Sequence, residues 1–499
     1  MTRAQRWLWL CAAFVVLALG GWQAWLWLPH PDVAFYTTAA IELDHGARLY
    51  QDIGDVNAPP IYWLHGLAHR LASLASLPDA KTPALLLLLF AAAVLLWCAT
   101  LAPAAGAPAW TLPLLAAALT VPALGSFAER EHWLAVGLLP YLFTLAAAAR
   151  GTAAPGAASL GAAALAGACA LLKPPYFLLP ILAAELWLAI RRRRVSSLWR
   201  RELWVAAAIF LLGVLLIVLL HPAYIERVLP QALDYYGNLG RPLDELLAQR
   251  GIWLPLLLLL ATAAVAFAKP GWSALAGAAA AAALGFALAF FLQAKGFAYQ
   301  WLPVLVLGSL AAPLLPAAAG WRRRIVLAPL LLLPLWTAYL GWQQVRGRQE
   351  AWPEALALQA SFQALPHDAG RPLGVFALAP ELYPLFPATT LAGASWLNTE
   401  SHLWQLDGLY RRDPAPAAGG FRLPAQQSAE ERELRLAFVG RFLLTRPDVV
   451  AVYRGGGRPT IGGSDFSYLD YYLSDPAFAA AWSGYLWRQR IGDYDLYTR

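Results

Sequence analysis

Long apolar stretches, each bounded by charged or proline-rich turns, recur along the first 342 residues and set the reading of the chain. They cover residues 7–28, 83–101, 108–124, 132–149, 156–172, 175–190, 202–220, 252–268, 272–292, 301–317 and 325–342. A helix of about 20 apolar residues spans the hydrocarbon core of a bilayer. The pattern therefore predicts a polytopic α-helical membrane protein of about 11 transmembrane helices. After residue 342 no apolar run is long enough to span. Strand-like stretches at 373–378 and 449–453 alternate with helical ones such as 429–442, and 494–497 reads as an edge strand. Residues 414–424, with Gly419 and Gly420, read as a loop. The segment 343–499 is thus expected to be a soluble α/β domain.

One segment decides the count. Residues 60–77 are apolar, but they include His65, His69 and Arg70, and each charge at mid-bilayer costs about 2.5–3.5 kcal/mol. Trp63, Leu64, Leu67, Leu71 and Leu74 fall on one helical stripe, the pattern of a helix lying in the membrane interface. Left flat, it makes the 29–82 segment an outer loop with interfacial helices, and 221–251 a second outer loop.

Charge fixes the orientation. With the amino terminus inside, the inner loops carry Arg150, Arg191 to Arg194, Arg200, Arg201, Lys269 and Arg322 to Arg324, the asymmetry expected of cytoplasmic loops. That bias and anionic headgroups account for the net charge of +7, which needs no nucleic acid partner. Only 13% of residues are charged, against about 25% in soluble domains. Cys11, Cys98 and Cys169 sit inside apolar runs and read as small buried hydrophobes. The first stretch follows Arg3 and Arg6, outlasts a signal-peptide core and lacks a cleavage pattern, so it reads as a retained first helix.

The same topology places most helix-end carboxylates and isolated lysines on the outer face. Ionisable residues at membrane depth are expensive and mark function by default. Asp32 stands just above the first helix, where it can serve as general base, metal ligand or simple helix cap. Asp55 and Asn57 face a site or cap the helix after Pro59-Pro60. Glu129-Arg130-Glu131-His132 places four ionisable groups at a membrane boundary, more than the macrodipole requires. Lys173 and Lys295 end apolar helices on the outer side and suit phosphate as compact point charges; snorkelling is the bland alternative. The 221–251 loop offers Arg241 among its arginines. His65 and His69, four apart, read as interfacial polar residues more readily than as metal ligands.

Together these features resemble the GT-C superfamily of membrane glycosyltransferases, in its protein mannosyltransferase and aminoarabinose transferase branch. The resemblance runs through Pro31-Asp32 with Tyr36, Pro59-Pro60-Ile61-Tyr62-Trp63, Glu131, Lys173-Pro174, and Ala294-Lys295-Gly296 with Tyr299, ahead of an outer domain. It implies a GT-C-like module over residues 1–342 and a periplasmic domain over 343–499. It further implies a polyprenyl-phosphate sugar donor and inverting transfer to a glycan, lipid or protein acceptor on the periplasmic face of a bacterial inner membrane. Asp32 would be the catalytic carboxylate and Glu131 would bind acceptor or a divalent metal ion. Lys295, with an arginine of the 221–251 loop, would hold the donor phosphate. Lys173, Tyr299, Tyr36, Asp55, Glu129, Arg130, His132 and Arg241 complete the expected substrate-binding set. The branch carries lysine where Ala58 stands and commonly aspartate where Glu131 stands. The competing class is a membrane transporter or flippase of lipid-linked sugars. Such proteins place charges near the midplane between repeated halves, whereas here charges cluster at one boundary and no repeat is visible.

Overall fold

The computed structural model describes every residue except 1–2, 153, 155, 250, 269–272, 318, 368–369, 415–419, 456–460 and 462–465. Lys269 and residues 415–419 of the 414–424 loop lie outside the described residues. The described chain packs as two compact units. One holds Met1–Leu28, Pro83–Leu216 and Arg241–Arg348; the other holds Pro29–Thr82, Ile217–Gly240 and Gln349–Arg499.

The first unit is helical, and each of the eleven predicted spans falls on a helix. Among the described residues seven helices are long and apolar enough to cross a membrane, and Thr111–Thr120, Gly156–Ala170 and Trp253–Ala268 are shorter apolar helices. The chain is therefore a multi-pass membrane protein. The last predicted span is interrupted, because Pro329 cannot donate to the ladder and the chain tightens to a 3-10 turn at Ala328–Leu331. The next helix then runs unbroken from Leu332 to Ala364, past the end of the apolar stretch.

Two faces explain the apolar composition. The alanine-rich helix Ala274–Gln293 is buried over nearly its whole length and packs on the helices Pro174–Arg192, Leu302–Ala317 and Arg130–Arg150. Small residues permit that approach. A Cβ on Gly285 would stand 2.4 Å from the Cα of Pro180, so any side chain there would separate the two helices. By contrast, the helix Arg201–Leu220 exposes Leu211, Leu212, Leu215, Leu216, Leu219 and Leu220. A contiguous apolar face of that kind suits lipid. Cys98 and Cys169 are buried as expected, whereas Cys11 is exposed. It lies on the helix Arg3–Leu26, which also exposes Leu8, Val15 and Leu19.

The second unit is built on a five-stranded mixed sheet. Its strands are β1 (Gly374–Leu378), β2 (Ser395–Trp396), β3 (Val449–Tyr453), β4 (Leu486–Ile491) and β5 (Tyr494–Thr498), in the order β2-β1-β3-β5-β4. β2, β1 and β3 are parallel; β5 is antiparallel to β3, and β4 to β5. Every residue of β1 and β3 is buried, as expected of strands covered on both faces. The helix Ala429–Thr445 supplies Phe438 and Phe442 against Phe376 of β1, at ring distances of 5.0 and 5.4 Å. β5 is no edge strand: β4 covers it. β4 escapes notice because its residues are exposed and carry no apolar alternation.

Two segments distant in sequence belong to this unit. The helix Pro31–Asp44 packs on Leu385–Ala392, where Thr390 donates to the Ala34 carbonyl at 2.9 Å and meets Thr38 at 2.8 Å. Ser395 of β2 donates to Glu42 at 2.6 Å. The helix Pro60–Ala75 buries Ile61, Tyr62, His65, Ala68 and Ala72 and leaves Trp63, Leu67, Leu71 and Leu74 exposed. The predicted apolar stripe is thus the outward face. Residues 221–240 are largely helical, with a π-helical turn at Tyr224–Val228 and the helix Leu229–Asp234, while the helix Leu243–Ala248 belongs to the first unit.

Candidate functional site

The predicted residues divide between the units. In the second, Asp32 occupies the first turn of Pro31–Asp44, where the helix dipole favours a carboxylate. The cap is not Asp32 but His30, whose Nδ1 accepts from the Asp32 backbone N–H at 3.3 Å. A structural cap therefore does not explain the Asp32 carboxylate. His30 Nδ1 stands 4.0 Å from an Asp32 oxygen; because that nitrogen already accepts the backbone N–H, it is the Asp32 carboxylate that suits a divalent ion. One turn on, Tyr36 is buried, and its hydroxyl accepts from Asn57 Nδ2 at 2.9 Å. The same amide donates to Asp55 at 2.6 Å, and the Tyr62 hydroxyl donates to the same Asp55 oxygen at 2.5 Å. Asp55, Asn57, Tyr36 and Tyr62 thus form one fixed network behind the helix that carries Asp32. Tyr62 was present in the Pro-Pro-Ile-Tyr-Trp motif, but its role as a donor to Asp55 was not read from it.

His65 and His69 do not combine as a ligand pair. His65 Nδ1 lies 3.1 Å from Thr37 Oγ1, and His69 Nδ1 lies 2.7 Å from Asp79.

In the first unit, Glu129 stands at the N-cap position of the helix Arg130–Arg150 without a side-chain cap bond, and Glu129, Arg130, Glu131 and His132 are all buried. Glu131 receives Lys173 Nζ at 2.6 Å, and the same ammonium lies 4.7 Å over the Tyr176 ring. Lys173 precedes two prolines at the start of Pro174–Arg192, so the rigid helix start fixes its position. Glu129 lies in the field of both Arg130 and Arg348. Arg348 had no motif to mark it. His132 meets Phe127 edge-on at 4.8 Å.

Lys295 follows the end of Ala274–Gln293, where Ala294 and Gly296 both take positive φ. Glycine is favoured at 296 because φ there is +71°, and a Cβ would also lie 2.4 Å from the movable end of Gln249, its Nε2. The Arg241 backbone N–H donates to the Ala294 carbonyl at 2.6 Å, and Arg241 Cδ lies 3.1 Å from where that Cβ would be. The turn therefore gathers Lys295, largely buried, and Arg241, exposed, with Tyr299 stacked on Phe297 at 5.5 Å. Two cations beside an aromatic shelf, at the end of a long apolar helix, suit an anionic headgroup on a lipid tail.

No family profile matches the sequence, and no curated protein sequence matches it. Solved structures match it in shape. One is ArnT from Cupriavidus metallidurans bound to undecaprenyl phosphate, with a TM-score of 0.58 and 15% identity over 100% of this chain and 98% of that one. Another is the arabinofuranosyltransferase AftD from mycobacteria, with a TM-score of 0.50 and 16% identity over 100% of this chain and 40% of that one. On this likeness the chain has the fold of the GT-C membrane glycosyltransferases.

Proposed function

We propose that this protein is an integral membrane glycosyltransferase that moves a sugar from a polyprenyl-phosphate donor to an acceptor on the periplasmic face of a bacterial inner membrane. The observation that carries the reading is the shape match along essentially the full length of both chains to a structure holding undecaprenyl phosphate. It is supported by two cations gathered on the 294–296 turn.

The chemistry divides among named groups. The Asp32 carboxylate takes the proton from an acceptor hydroxyl. The acceptor oxygen attacks the anomeric carbon from the face opposite the phosphate, and the bond from that carbon to the phosphate oxygen breaks. Its electron pair leaves on the polyprenyl phosphate, and the anomeric centre inverts. Lys295 and Arg241 offset the charge developing on the leaving phosphate, where fixed cations lower the barrier most. The Asp55–Asn57–Tyr36 network holds the Asp32 helix in place. Glu131 and Lys173 act as one buried pair that shapes the site, and Glu129, Arg130, His132 and Tyr299 contribute substrate contacts.

The test is turnover. Purified protein in lipid is given radiolabelled polyprenyl-phosphate sugars and envelope extracts as acceptor. Label should pass to acceptor with release of polyprenyl phosphate, and Lys295→Gln should lower kcat/KM for donor about 100-fold. Passage of intact donor across the bilayer, without bond cleavage, would replace this reading with that of a flippase.

A further inference from the structure

A cavity of about 280 Å³ lies wholly within the second unit, and of the residues given roles above only Asp55 lines it. Its walls come from three separated segments: 50–55, 227–235, and residues between 399 and 472. The volume is near the lower end for small-ligand sites, roughly 300–1,000 Å³. The frame is fixed where the first and third segments meet. Gly54 donates its N–H to the Thr399 carbonyl at 2.7 Å, and the Trp396 indole donates to the Glu400 carbonyl at 3.0 Å.

The lining combines aromatic faces with acceptor-only groups. Tyr50, Tyr235 and Trp404 supply rings; Asp55, Glu400, Glu430 and Glu433 supply carboxyl groups. Of the two arginines in the wall, Arg435 is committed to Asp475 at 2.6 Å, and Glu430 is paired with Arg412 from outside it, which leaves Arg227 against Asp55, Glu400 and Glu433. Trp404 is only 4% exposed, and its indole N–H has no hydrogen-bond partner among the described residues. A buried donor left without an acceptor is costly, and a ligand oxygen would satisfy it.

These features select a ligand. Carboxylates such as those of Asp55 and Glu433 accept but do not donate, so the ligand must present O–H or N–H groups. Aromatic faces take up the apolar C–H face of a ring while its polar edge stays hydrogen-bonded. The acidic excess opposes a second anion. A pyranose or furanose ring without a carboxylate or phosphate meets all three demands. Asp55 also ties the cavity to the network that carries Asn57 and Tyr36, and Tyr36 lies one turn from Asp32 on the same helix. We infer that this cavity binds a neutral or amino-bearing sugar of the acceptor, so that the unit supplying the base also supplies an acceptor subsite. The word acceptor rests on the glycosyltransferase reading; the binding of a sugar does not.

Binding to the full-length protein in nanodiscs, followed by ligand-observed NMR, tests this with methyl glucoside, glucosamine and glucuronic acid as probes. The first two should bind, and glucuronic acid should bind about tenfold more weakly through like-charge repulsion. Trp404→Phe keeps the ring and removes the N–H; it and Glu400→Gln should each weaken methyl glucoside about fivefold, the worth of one hydrogen bond, with the thermal midpoint of Trp404→Phe unchanged. Glu433→Gln, at an exposed position, serves if either variant fails to fold. The inference is overturned if no probe binds, if glucuronic acid binds as well as the glucoside, or if the variants bind as the parent does. Saccharide binding by a wild-type protein that transfers nothing would support the cavity and count against glycosyl transfer alone.

Discussion

At the scale of single residues, the Lys173–Glu131 pair constrains what either partner can do alone. Both charges are withdrawn from water at 2.6 Å, and Glu131 is fully buried. Removing one partner leaves an uncompensated buried charge, which costs about 3–5 kcal/mol, whereas removing both together costs far less. Lys173→Met should therefore lower thermal stability in nanodiscs sharply, and adding Glu131→Gln should restore most of it. Equal losses in the single and double variants would contradict a coupled pair. Glu400 makes a pH-dependent contribution of its own. Burial pushes its carboxyl up to about 7, against an ordinary value of 4.5. Between those values the folded chain keeps a proton that the unfolded chain has released, so stability from this site is complete below pH 4.5 and lost as pH rises to 7. The difference in thermal midpoint between wild type and Glu400→Gln should follow that slope, and a flat difference would refute it. Both cases show what sequence conveys. Lys173 and Glu131 stand out because charges at membrane boundaries are rare, but their pairing, 42 positions apart, is a property of helix packing. Glu400 sits in no motif, and its setting depends on Gly54, far earlier in the chain.

Among elements, the sheet shows where stability is concentrated. Asp495 of β5 accepts from Arg490 of β4 at 2.8 Å and from Arg454, just after β3, at 2.8 Å. One carboxylate thus clamps three strands. Hydrogen bonding from Arg490 holds its carboxyl down at about 2, so this stabilisation is present above the ordinary 3.8 and is lost as pH falls from there to 2. Asp495→Asn should cost about 1–2 kcal/mol, because Arg454 and Arg490 remain partly exposed and regain water. Chemical unfolding monitored at Trp487 and Trp482 measures it, and a neutral result would show that the clamp is incidental. Elements with strong apolar patterns were legible: β1, β3, the helix Ala429–Thr445 and the eleven apolar helices. β4 was not, since a strand whose residues face water carries no periodic signal. For the same reason β5 was misplaced at the edge. The exposed apolar face of the helix Pro60–Ala75 was legible from its stripe, because amphipathic faces encode their surroundings directly.

For the molecule as a whole, the division of labour follows chain segments that lie far apart in sequence. Pro29–Thr82, Ile217–Gly240 and Gln349–Arg499 pack as one unit, which carries Asp32 and the sugar-sized cavity. The helical unit carries the buried Glu131–Lys173 pair and the cations of the 294–296 turn. The apolar patterns conveyed the helices of the second of these. That Pro29–Thr82 packs with residues after 349 could not be read from either segment alone, because it depends on contacts such as Thr390 with Ala34. The central claim is that Asp32 activates an acceptor hydroxyl. A single-turnover assay in nanodiscs, with labelled polyprenyl-phosphate sugar prebound and acceptor added, measures that step directly. Loss of a positioned general base is worth about 10²–10⁴ in rate. Asp32→Asn should therefore bind donor as the wild type does and transfer it at least about 100-fold more slowly. Transfer at the wild-type rate would contradict the account.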